Sequence, residues 1–320
     1  MTKTLPRVLA ALALALSVPP VLAQDAAAPP LKLVVPYTAG GSTDALARLL
    51  QKSLAEVLKR SVVIDNRPGA AGTIGTDYVA KAAPDGNTIV FGNQAPNAIV
   101  PAVRKTPYDP LTDLRPLTTV AFMPLVLVAP ADRGPKTLKD FIAQARRPGA
   151  HWNYGSSGIG SFAHLGGHEF SRLANLDMTH VPYKGGSEVV TALLGGDIQA
   201  SFLTSLEGTP LMQAGKMRVL AVGSPGRAPT LPDVPAIAEE VPGFDSVIWF
   251  AVFAPRGTPD AIATKLRDAI VQAVMRPEYQ KYLAERNAQG RTSTPEEVTA
   301  IVKKDMQRWG DVVRKANIPL

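Results

Sequence analysis

The chain has 320 residues, a formal charge of +7 and no cysteine, which excludes disulfides, a cysteine-held zinc and a thiol nucleophile. Its 34 basic and 27 acidic side chains are interspersed, with no basic cluster interleaved with aromatics, and this argues against a nucleic-acid partner. The positive surplus mildly favours anionic solutes.

Lys3 and Arg7 precede an apolar run from Val8 to Leu16, too short for the about 20 residues a bilayer span needs. Pro19-Pro20 and Val21-Leu22-Ala23 follow. A charged start, a short apolar middle and small residues at −3 and −1 predict a signal peptide over 1–23, cleaved after Ala23. The alternative is a buried N-terminal helix. Residues 24–30 read as a disordered leader, and export to the periplasm is expected. No later apolar run reaches spanning length.

LKLVV (31–35) reads as a buried strand, broken by Pro36 to Gly41. Ser42 or Thr43 is the expected N-cap of a helix whose Leu46, Leu49, Leu50, Leu54, Val57 and Leu58 share one face. Asp44 falls in its first turn, where negative charge suits the helix dipole. The unit repeats with SVVID (61–65), the loop Asn66-Arg67-Pro68-Gly69, a helix near Tyr78, the turn Pro84-Asp85-Gly86-Asn87 and TIVFG (88–92). FMPLVLVAP (122–130) is β-rich, and Thr137 is placed to cap a helix over 138–146. Further strands are expected at HWNYG, MTHVPY, DIQASFL, MRVLAVG and VIWFAVFAP, and helices over 259–275, 277–286 and 295–316. Alternating strands and helices define an α/β fold built on open, mostly parallel sheets.

Two segments share one design. Tyr37 to Asp44 and Gly155 to Ser161 each follow a strand, carry Gly and Ser, and open a helix. A helix N-terminus offers unpaired N–H groups and partial positive charge, glycine permits close approach, and hydroxyls add donors. Two such loops facing each other across a cleft would hold a carboxylate without an arginine. Thr204-Ser205 is a third hydroxyl-bearing strand end. Taken singly, each is equally an ordinary βα turn.

Enzyme signatures are weak. No Ser has Gly at both −2 and +2, so the nucleophile elbow is missing. Gly158-Ile159-Gly160-Ser161-Phe162-Ala163 matches the dinucleotide fingerprint, yet Asp177 precedes the next strand where an acid should close it. His164 and His168 have i, i+4 spacing but Leu165 replaces the Glu of a zinc-protease motif, so helix-face or packing roles are expected and no metal or other cofactor. An exported hydrolase or oxidoreductase stands as the alternative function.

Five segments occur in order: Val35-Pro36-Tyr37-Thr38-Ala39-Gly40-Gly41-Ser42-Thr43-Asp44, Asn66-Arg67-Pro68-Gly69-Ala70-Ala71-Gly72, Ala83-Pro84-Asp85-Gly86, Tyr154 to Ser161 with His164-Leu165, and Val181-Pro182-Tyr183-Lys184-Gly185. Together they resemble the solute receptors of tripartite tricarboxylate transporters, the Bordetella uptake gene family, over nearly the whole chain after residue 23. Asn87 departs from the pattern, which has an aromatic there. The resemblance implies a two-lobed periplasmic-binding fold of type II, with 31–125 plus 250–320 as one lobe and 126–249 as the other. It implies a monomeric, non-enzymatic receptor for a small carboxylate (a di- or tricarboxylate, acidic amino acid or aromatic acid) that serves a membrane permease. A receptor feeding a sensor kinase would share the same fold and site. Carried onto this sequence, the resemblance places one carboxylate against Tyr37, Thr38, Ala39, Gly40, Gly41 and Ser42, with Asp44 ordering that loop. Ser156, Ser157, Gly160 and Ser161 would face it, with Asn93, Tyr183, Lys184, Gly185 and Thr204 as further contacts.

Overall fold

The computed structural model describes residues 29–316; the expected signal peptide, its cleavage point and most of the expected leader lie outside them. The first unit is β1 (Leu31–Val35), α1 (Ser42–Leu58) and β2 (Val62–Asn66). Leu46, Leu50 and Leu54 recur at helical spacing on α1 and are fully buried, each contributing about 1.5–3 kcal/mol of apolar transfer. The helix stops at Lys59, which adopts a left-handed conformation. After α2 (Thr73–Ala80) comes β3 (Thr88–Asn93), and β1 pairs in parallel with both β2 and β3.

A one-turn helix, α3 (Val100–Val103), leads to β4, a 17-residue strand over Leu114–Pro130. The sequence marks only 122–130 as β-rich. Residues 114–121 carry Arg115, Pro116, Thr118 and Thr119, which break the apolar pattern. Burial of the two threonines is satisfied laterally: Thr118 Oγ1 donates to the Ser293 carbonyl at 2.9 Å and Thr119 Oγ1 to the Arg291 carbonyl at 2.8 Å. Tertiary partners thus supply what the local sequence does not.

The second unit comprises α4 (Leu138–Ala145), β5 (Trp152–Ser156), α5 (Phe162–Ala174), β6 (Met178–Pro182), α6 (Gly186–Gly195), β7 (Ala200–Thr204), α7 (Ser205–Gln213) and β8 (Met217–Val222). Thr137 caps α4, its hydroxyl accepting from Asp140 N at 3.0 Å. β9 (Val247–Pro255) returns, and α8 (Asp260–Val274), α9 (Pro277–Ala284) and α10 (Pro295–Ala316) complete the chain. α8 packs on α1, and α10 packs on β4 and α3.

The nine-stranded sheet runs β2-β1-β3-β9-β4-β7-β5-β6, with β8 also on β4. β5 pairs in parallel with β6 and β7. The strands linking the two halves are antiparallel: β4 pairs with β9 through Leu114–Pro124 and with β7 through Leu125–Val128. The mostly parallel sheets therefore meet at an antiparallel ribbon, since a strand that crosses between halves must be answered by one that comes back.

Candidate functional site

The carboxyl ends of β1, β3, β5 and β7 converge on one chamber of about 60 Å³, room for only a few water-sized positions. Such strand ends are where open α/β sheets bind ligands. Among the expected residues, Tyr37, Gly41, Ser42, Asn93, Ser156, Ser157, Ser161 and Thr204 line it, so both glycine–serine loops contribute. Phe162, Val189, Phe202, Ile248 and Phe250 form its apolar walls. Among the described residues, no Lys, Arg or His lines the chamber.

Other expected contacts lie beside the chamber. Gly40 turns its N–H onto Asp44 Oδ2 at 3.0 Å, and Ala39 presents its carbonyl to Ser187 across the cleft at 3.4 Å. Thr38 meets Gly185 face to face. Gly160 takes a positive φ of 80° and donates its N–H to His164 Nδ1 at 3.1 Å. Tyr183 is half-buried against Gly155. Lys184 is exposed, and its backbone N–H donates to Glu188 Oε2 at 3.1 Å; its place is the loop surface.

The first loop is held from inside. The helix starts at least one residue earlier than expected: the N-cap is Gly41, without a side-chain cap bond, and Ser42 is the first helical residue. Asp44 supplies the missing order by reaching back to Gly40 while accepting from Arg48 Nε at 2.8 Å and Asn66 Nδ2 at 2.9 Å. Burial pushes the Asp44 pKa up, but the bonds from Arg48, Gly40 and Asn66 outweigh it and leave it below the ordinary value. Asp44 is committed to its own loop. The Tyr37 hydroxyl lies 3.1 Å from both the Ala71 carbonyl and Asn93 Oδ1, and burial pushes its pKa up.

The second loop rests on a histidine stack. The His164 and His180 rings lie 3.8 Å apart, and His180 Nε2 is 2.6 Å from Ser156 Oγ. Burial lowers the His164 pKa to about 3, aided by His180 and His168, and lowers that of His180 to about 4. Both rings are therefore neutral at pH 7 and act as packing and hydrogen-bond groups. Among the described residues no carboxylate hydrogen-bonds His180, so the Ser156–His180 pair lacks the third member that orients a base. Nor, among the described residues, does any group of three His, Asp or Glu stand where it could hold a metal.

Sequence reasoning missed Glu207. It caps α7 in a capping box, its Oε2 accepting from Thr204 Oγ1 at 3.1 Å, and its Oε1 accepts from Ser42 N in the other half at 2.9 Å. The pattern Thr204-Ser205-Leu206-Glu207 is legible as a helix start. Its reach to Ser42, 165 positions away, is not. Desolvation raises the Glu207 pKa against the opposing bonds from Ser42 and Thr204. Glu207 is half-buried and lines the chamber.

A two-lobed α/β fold with helix-opening loops from both halves around one chamber defines the periplasmic solute-binding class. The model of the tripartite tricarboxylate transporter family receptor matches residues 46–318, and the chain belongs to that family of substrate-binding receptors, which are not enzymes. It is 34% identical over 304 residues to Protein BugT of Bordetella pertussis, covering 94% of this chain and 93% of BugT. The structure of the periplasmic binding protein BugD superposes with a TM-score of 0.86 at 32% identity, covering 90% of this chain and 98% of BugD. That of R. palustris Rpa4515 with adipate gives 0.86 at 36% identity, covering 90% and 97%.

Proposed function

We propose that this receptor captures a small carboxylate between residues 31–125 plus 250–320 and residues 126–249, and delivers it as a monomer to the membrane permease of a tripartite tricarboxylate transporter. Export through a signal peptide cleaved after Ala23 would place it in the periplasm. The observation that carries the reading is that Tyr37, Gly41 and Ser42 line one chamber together with Ser156, Ser157 and Ser161. Hydroxyls and helix-opening amides there can pair a carboxylate that no side-chain cation meets. The adipate held by Rpa4515 supports a carboxylate as the group that is gripped, without fixing how many the solute of this receptor carries. A thermal-shift screen of mono-, di- and tricarboxylates tests it, because a solute that binds only the native state raises the melting temperature with concentration. Native mass spectrometry of the purified protein would identify a retained solute. No shift by any carboxylate at millimolar concentration refutes the proposal.

A further inference from the structure

We propose that Glu207 sets the charge class of the solute: the site takes a monocarboxylate that also brings an N–H donor, an ammonium or an amide, and turns away dianions. This rests on the carboxylate-receptor reading and narrows it.

The charge inventory is asymmetric. The chamber's polar lining consists of neutral hydroxyls and amides and one carboxylate, that of Glu207. Among the described residues Glu207 has no Lys or Arg within ion-pairing distance. Asp44 differs in this respect, since Arg48 neutralises it at 2.8 Å and its bonds turn it into its own loop. A solute with two carboxylates would thus find neutral dipoles for both charges and a like charge at one end.

Position gives the second argument. Glu207 Oε1 already accepts from Ser42 N, an amide at the opening of α1 that would otherwise be offered to a solute anion. The chain supplies its own carboxylate on the first-lobe side. The opening of α5 remains for the solute carboxylate, with Ser156, Ser157 and Ser161 around it. A solute carboxylate at α5 and a donor directed at Glu207 satisfy both ends.

The test is a matched trio: succinate, succinamate and 4-aminobutyrate, titrated by calorimetry and thermal shift into the full protein and into Glu207→Gln. The variant keeps the length and one acceptor for the cap, removes the charge, and exchanges the acceptor that meets Ser42 N for an NH2. The wild type is expected to bind succinamate or 4-aminobutyrate about tenfold or more tightly than succinate, a ratio ordinary for one like-charge contact at partly buried sites. Glu207→Gln should erase or reverse that ranking. Wild-type binding of succinate as tight as that of the other two overturns the proposal, even if the variant does not fold. An unchanged ranking in a folded variant overturns it too, while the receptor reading stands. Failure of both proteins to bind the trio or any carboxylate in a wider screen overturns both.

Discussion

Replacing Gly185 with Ala should disfavour the closed state without unfolding either half. Gly185 precedes α6 with an extended φ of −173°, so alanine suits the backbone. Its added Cβ, however, would overlap the Thr38 hydroxyl and stand 3.3 Å from Thr38 Cβ. Threonine is stiff about χ1, so relief comes from an unfavourable rotamer or from separation of the halves. Overpacking of this kind costs about 1–3 kcal/mol, which is about 5- to 150-fold in the ratio of closed to open forms. Solute affinity falls in proportion to the fraction of closed molecules where only the closed form grips the solute, by up to the same factor. Small-angle scattering without solute should show a larger radius of gyration than the roughly 19 Å of a compact chain of this length, and calorimetry with the tightest carboxylate should show the affinity loss. Among the described residues the Thr38 hydroxyl has no hydrogen-bond partner, so adding Thr38→Ala should restore much of the affinity at little cost. An unchanged affinity together with an unchanged scattering curve in Gly185→Ala would refute the closure argument.

Acid should destabilise the protein through His164. Burial holds its folded pKa near 3, below the about 6.5 of an unfolded chain, so the unfolded state takes the proton first and stability falls as pH drops below 6.5. Between pH 7 and 5 this amounts to about 2 kcal/mol. His164→Gln, which can still accept from Gly160, should flatten that slope in urea titrations; equal slopes count against it. Asp44→Asn should lower stability by about 1–3 kcal/mol at pH 7, measured by thermal melts. With the folded pKa of Asp44 below its ordinary value, the carboxylate's contribution is present above the unfolded pKa and lost as pH falls through the folded one. The variant should therefore lack that acid-side loss. Tyr37→Phe leaves the Ala71 carbonyl and Asn93 without the hydroxyl, and should cost about 1–2 kcal/mol and weaken solute binding; a denaturation midpoint matching the wild type would contradict this.

The sequence made the architecture legible where local pattern and tertiary fate agree. The leucine face of α1 and the glycine–serine loops after β1 and β5 are cases, because spacing alone fixes which face is apolar and where a helix opens. It was less informative where partners are distant. Thr118 and Thr119 look like loop residues until Arg291 and Ser293 are beside them. The N-cap falls on Gly41 because Asp44 can order the turn from within the helix, so a better local capper at Ser42 is not needed. Glu207 marks the limit for the site: its helix-capping role is written in four consecutive residues, but its second role exists only once the cleft brings Ser42 against it.

The antiparallel pairing of β4 with β9 carries a mechanical corollary. Two hydrogen-bonded strands side by side resist sliding past one another, because every rung of the ladder would have to break together. They bend across their flat direction far more readily. Motion between the halves is thus channelled into one swing, with the mouth opening on the side away from the ribbon.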